Sequence, residues 1–103
     1  MPAKFEVRIT AKAEQDLEEI WGFIADDSPE EAAKFVLQLE KQVEKLERFP
    51  ERCPLISENQ VLHTRYRHLI YGEYRTIFRI SRRIVYVLRI IHSAQLLDSS
   101  VIE

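Results

Sequence analysis

Tyr66, His68, Arg75, Arg79, Tyr86 and His92 recur in the last third of the chain, where apolar and polar residues alternate. A guanidinium can hold a phosphate or stabilise developing negative charge, and imidazole is the usual general acid or base near neutral pH. Two of each, with two phenols, could bind an anion and assist its reaction if one surface carried them all. The plainer assignment gives the arginines to surface carboxylates and the tyrosines to cross-strand pairs.

Whether the six meet depends on strand register. A period of two predicts strands over 65–71, 74–80 and 84–92, with Gly72-Glu73 as a two-residue loop and a second turn at Ser81-Arg82-Arg83. Pairing Tyr71 with Tyr74 sets Ile70 opposite Arg75, His68 opposite Ile77 and Tyr66 opposite Arg79. A tight turn at Arg82-Arg83 then pairs Ile77 with Leu88 and Arg75 with Ile90. All six residues share one face in that register, around Ile70, Ile77, Leu88 and Ile90. A three-residue turn would flip the last strand and remove Tyr86 and His92. The opposite face, with Leu69, Tyr71, Tyr74, Thr76, Phe78, Ile80, Val85, Val87 and Ile91, is the natural surface for helices to cover.

Those helices come earlier. Residues 4–9 alternate as a half-buried strand, and Thr10 can cap a helix whose apolar positions are Ala13, Leu17, Ile20, Trp21 and Ile24. Ser28-Pro29-Glu30-Glu31 starts a second: Ser28 as N-cap, Pro29 at the first helical position, Glu31 where a capping box needs its carboxylate. Its stripe runs through Ala32, Val36, Leu39, Val43 and Leu46, and Pro50 ends it. The expected fold is α+β: an N-terminal strand, an antiparallel helical hairpin, then a three-stranded antiparallel meander, with the helices on one face of the sheet.

Composition sets limits on what such a fold could do. The chain has 103 residues, 46% apolar and 31% charged, as expected for one globular domain over 1–103 with a tail at 92–103. A net charge of −2 argues against a generic nucleic-acid binder. The charge is split, however. Residues 1–60 hold eight basic and fourteen acidic side chains, whereas residues 61–103 hold seven arginines, no lysine and three carboxylates. Arginine suits bidentate recognition of phosphate or carboxylate. The single Cys53 excludes an internal disulfide and a thiolate zinc site, and we expect it to be half-buried filler. No metal or cofactor motif occurs, no apolar run is long enough for a membrane span, and the charged first residues lack a signal peptide's apolar stretch. A cytoplasmic protein is expected.

Three fragments of the first half form a pattern: Ala13-x-x-Asp16-Leu17-x-x-Ile20-Trp21, Ser28-Pro29-x-x-Ala32-x-x-Phe35 and Leu46-x-x-Phe49-Pro50. Three more lie in the second: Tyr66-Arg67-x-Leu69, Gly72-x-Tyr74-Arg75-x-Ile77-Phe78-Arg79-Ile80 and Val85-x-x-Leu88-x-Ile90-x-His92. Together they resemble the RelE/ParE superfamily of toxins from type II toxin–antitoxin modules, over nearly the whole chain. The resemblance implies one of two activities. The RelE-like branch cleaves mRNA on the ribosome, which would make Arg75, His68 and His92 catalytic. The ParE-like, plasmid-stabilising branch inhibits DNA gyrase, with Tyr66, Arg67, Arg75, Arg79 and Tyr86 as expected target-binding residues. The chain departs from the RelE pattern after the last strand: His92-Ser93-Ala94-Gln95-Leu96-Leu97 lacks the usual arginine, and the tail has no terminal Tyr or His. With the long helical hairpin, this favours the ParE-like branch; a homologue that only binds antitoxin is a third possibility. The resemblance also implies a cognate antitoxin. Leu96, Leu97, Val101 and Ile102 are expected to bind it, on a tail poorly ordered until the antitoxin covers it.

Overall fold

The computed structural model describes residues 4–98. In β1 (Glu6–Ile9) Val7 and Ile9 turn inward and Glu6 and Arg8 outward. Thr10 then starts α1 (Ala11–Ala25): its hydroxyl oxygen accepts a hydrogen bond from the Ala13 N–H at 3.2 Å and the hydroxyl donates to the Val87 carbonyl at 2.9 Å. One threonine thus caps the helix and pins its start to the sheet.

Ala13, Leu17 and Ile20 are buried at helical spacing, whereas Trp21, expected on the same stripe, is 45% exposed at its margin. In α2 (Pro29–Glu44) the Ser28 hydroxyl oxygen accepts from the Glu31 N–H at 3.2 Å. The reciprocal half of a capping box has nothing to satisfy, because the Ser28 N–H already donates to the Ile24 carbonyl of α1. A 3-10 turn at Lys45–Glu47 carries the stripe on to buried Leu46 before Pro50.

The remaining strands are β2 (Arg67–Tyr71), β3 (Tyr74–Ser81) and β4 (Ile84–His92), and the sheet order is β1-β4-β3-β2. β1 runs parallel to β4, so the sheet is mixed rather than wholly antiparallel. The helical hairpin is long enough to serve as the crossover that a parallel pair requires. Phe5, Leu17, Ile20, Leu39, Val43, Phe78, Val85, Val87 and Ile90 close into one core between helices and sheet.

The β2–β3 register is the expected one from His68↔Ile77 to Tyr71↔Tyr74. Gly72 has φ +58°, and a Cβ there would lie 3.2 Å from the Phe35 ring, so shape and conformation both call for glycine. Tyr66 precedes β2 and does not pair with Arg79. In the second hairpin Arg79 pairs with Tyr86 and Ile80 with Val85, but the register then slips. Phe78 faces Val87 while Ile77 faces Arg89, leaving Leu88 as an extra residue in a β-bulge. The expected pairs Ile77–Leu88 and Arg75–Ile90 are therefore replaced by Ile77–Arg89 and Arg75–Ile91. Ile90 joins the core under the helices and Ile91 turns to the other face.

Candidate functional site

The bulge divides the six candidate residues. Beyond Leu88, β4 pairs His92 with Tyr74, whose ring meets Phe35 of α2, so His92 lies on the helix side of the sheet. Its Nδ1 accepts from the Ala94 N–H at 3.1 Å and its Nε2 lies 3.8 Å from the Glu73 carboxylate. His68, the register partner of Ile77, is on the other face. The expected pairing of two imidazoles on one surface is not formed.

The face opposite the helices is not open around Arg75 either. The segment after Pro50 runs beside β2, with the Ile56 N–H donating to the Tyr66 carbonyl and the His68 N–H to the Pro54 carbonyl. Asn59 shapes the rest: its amide donates to the Tyr66 carbonyl, and its oxygen accepts from the Thr64 hydroxyl and the Tyr66 N–H. This segment and the C-terminal strap at 93–97 bury a second cluster of Ile56, Ile77, Ile91 and Leu97, with Leu62 and Tyr66 at its rim.

Arg75 lies beneath that cover, 5% exposed. Its Nη2 pairs with Glu58 Oε2 in a close ion pair and donates to the Gln95 carbonyl at 2.8 Å. Its Nη1 donates to Glu58 Oε1 at 3.3 Å and meets His68 Nδ1 at 3.2 Å. A guanidinium can only donate, so His68 Nδ1 accepts and the imidazole is neutral. Glu58 Oε2 also accepts from the Leu97 N–H at 3.0 Å. The ion pair thus fastens the strap through Leu97. Contrary to the loose tail expected, residues 93–97 are hydrogen-bonded to the sheet and its cover.

The other expected residues are dispersed. Arg67, opposite Phe78, donates to the Glu51 and Cys53 carbonyls on the helix side. Tyr66 edges the second cluster, while Arg79 and Tyr86 stack on each other at 4.2 Å on the uncovered part of the face. Leu97 is buried within the chain's own fold, so as placed it offers an antitoxin nothing; Leu96 is exposed, and Val101 and Ile102 lie outside the described residues. Cys53 is half-buried, and burial raises its thiol pKa, as an inert filler requires.

Two carboxylates outside the expected site residues do much of the positioning. Glu58 is one. The other is Asp16, which holds Arg89 Nε and Nη2 at 2.8 and 2.9 Å and accepts the Ile90 N–H at 2.8 Å. Asp16 carries a local signal, an acid beside Leu17 on the apolar stripe of its helix, where a buried carboxylate needs a cation; Glu58, between Ser57 and Asn59, carries none.

The arginine network makes stability pH-dependent in two steps. Burial and the nearby Arg75 cation lower the His68 pKa from its ordinary 6.5, so its share of stability is full above that pH and is lost as pH falls below it. Hydrogen bonding from Arg75 lowers the Glu58 pKa from 4.5 to about 2, so its share is full above pH 4.5 and drains between there and about 2. We expect urea midpoints to fall in both windows, with His68→Gln removing the upper decline and Glu58→Gln the lower. A midpoint that stays flat from pH 7 to pH 3 would contradict this.

Comparison with known proteins fits this architecture. The chain has the fold of a chain of a chromosomal ParDE toxin–antitoxin system from P. aeruginosa, with a TM-score of 0.68, 24% identity, and coverage of 86% of this chain and 96% of that one. It is also similar to a chain of the toxin–antitoxin complex RelBE2 from Mycobacterium tuberculosis, with a TM-score of 0.63, 24% identity, and coverage of 87% and 99%. No curated protein sequence matches the chain significantly. The family model described as the ParE toxin of the type II toxin–antitoxin system parDE matches residues 7–97, from β1 through the strap that Glu58 holds. By that match the chain belongs to the ParE family of type II toxin–antitoxin toxins.

Proposed function

We propose that this toxin works by binding rather than by cutting RNA: it inhibits DNA gyrase, and a cognate antitoxin neutralises it in the cytoplasm. The state of Arg75 carries the reading. A RelE-like ribonuclease needs that guanidinium turned toward the charge that develops on the scissile phosphate, and losing one such donor typically costs about 10²–10³ in rate. Here its Nη1 and Nη2 donors serve Glu58, His68 and Gln95 under a cover of apolar side chains. His92, the other acid–base candidate, faces the helices. For the antitoxin, exposed Leu96 in the strap is the apolar side chain left open for docking.

The test is a supercoiling assay with purified gyrase, run beside a translating extract. Supercoiling should fall as toxin is added, with mRNA left intact. Cleavage of mRNA that disappears in Arg75→Ala, with gyrase unaffected, would overturn the proposal in favour of the ribonuclease.

A further inference from the structure

Arg67, Arg75 and Arg89 are bonded into the fold by their guanidinium N–H groups. Arg79 is held differently. It is exposed, and its guanidinium lies over the Tyr86 ring, 4.2 Å from the centroid. Arg8 approaches the same ring at 6.0 Å. Arg8 pairs with Tyr86 and Tyr86 with Arg79, so the three form one row across β1, β4 and β3 on the face away from the helices. Stacking occupies a guanidinium's flat face and leaves its in-plane N–H fork for another acceptor. Arg8 also pairs with Glu6, but both side chains are more than half exposed, so that contact is weak and exchangeable.

The adjoining turn adds a separate observation. Arg82 opens the two-residue β3–β4 loop with φ +60°, a conformation that favours glycine. The β2–β3 loop puts Gly72 at the equivalent position, with φ +58°. An arginine there gives up stability that glycine would keep, and it places a further exposed cation at this corner of the sheet. The helical hairpin is the opposite: ten carboxylates and three lysines lie between Ala11 and Glu44. A polyanion would be repelled from the helices and oriented onto the corner.

We propose that this corner, built by Arg8, Arg79, Tyr86 and Arg82, binds the backbone of a single-stranded nucleic acid, with the Arg79–Tyr86 stack as a platform for one base. Guanidinium planes and phenol rings on a sheet face are the groups on which unpaired bases stack, whereas duplex bases are already stacked and an acidic peptide brings no base to stack. The inference does not depend on gyrase being the target, because it is read with an oligonucleotide alone.

The experiment titrates the full-length toxin into a fluorescein-labelled 12-mer of oligodeoxythymidine and follows anisotropy. Binding should weaken with salt at a slope of about −2 on logarithmic axes, as three phosphate contacts to a single strand require. The double substitution Arg8→Ala with Arg79→Ala should weaken binding at least tenfold with little change in the thermal midpoint, since both residues are exposed. Lys34→Ala on the helices should leave binding unchanged. Arg82→Gly should weaken binding severalfold while raising the thermal midpoint, a combination that a purely structural residue would not give. The proposal is overturned if the arginine double variant binds as wild type does. It is equally overturned if no binding occurs at low salt, if a 12-base-pair duplex binds as tightly, or if polyglutamate of equal charge displaces the oligonucleotide.

Discussion

Glu58→Ala should destabilise the toxin by about 3–5 kcal/mol, because it leaves the Arg75 guanidinium buried without a counter-charge. Arg75 is 5% exposed and Glu58 9%, so water reaches neither well enough to replace the partner. The same change removes the acceptor of the Leu97 N–H, so the strap should loosen with the ion pair. Urea unfolding measures the first effect and amide exchange at Leu97 the second. Glu58→Gln should lose less, since its amide oxygen can still accept from Leu97 or Arg75. Replacing both partners, with Glu58→Leu and Arg75→Met, should return much of the stability, because two apolar groups leave no unpaired charge. A loss below about 1 kcal/mol for Glu58→Ala would mean that the Arg75 charge is not isolated from water, and the support for a binding rather than a catalytic role would weaken with it.

That ion pair also marks where the sequence stopped being informative. Features set by near neighbours were legible. Thr10 and Ser28 cap their helices as their types and positions imply, and Gly72 fixes the first hairpin because two residues between alternating segments leave one register. Glu58 lies 17 residues before Arg75 in a stretch without period, where no spacing rule joins acid to base. A different limit applies to His92. The second hairpin keeps the expected register as far as Arg79 and Tyr86, but a single extra residue, Leu88, reverses every side chain after it. A bulge depends on what packs beside the strand, and here β1 ends opposite Val87, where Thr10 and Asp16 take up backbone groups of β4. Those partners lie more than 70 residues away in the chain, so nothing local to β4 announced the slip.

Asp16→Ala is expected to cost a similar amount, about 3–5 kcal/mol, through a different part of the molecule. Its carboxylate spans Arg89 in two hydrogen bonds and accepts the Ile90 N–H, so it ties α1 to β4 just past the bulge. Arg89, with its guanidinium pKa raised by that bonding, stays charged at any pH that leaves the protein folded, and its side chain is 11% exposed. Asp16→Asn should cost less, because one amide oxygen still serves Ile90 while the charge on Arg89 loses its match. Trp21 sits in the same helix as Asp16 and is the chain's single tryptophan, so its fluorescence in urea reads the loss directly. A loss in Asp16→Ala no larger than in Asp16→Asn would place the whole effect in the charge and none in the backbone contact. Glu58 and Asp16 clamp opposite faces of the sheet and share no partner, so their losses should add. Their sum, about 6–10 kcal/mol, takes up most or all of a small domain's usual margin, and the toxin lacking both carboxylates should not fold at all.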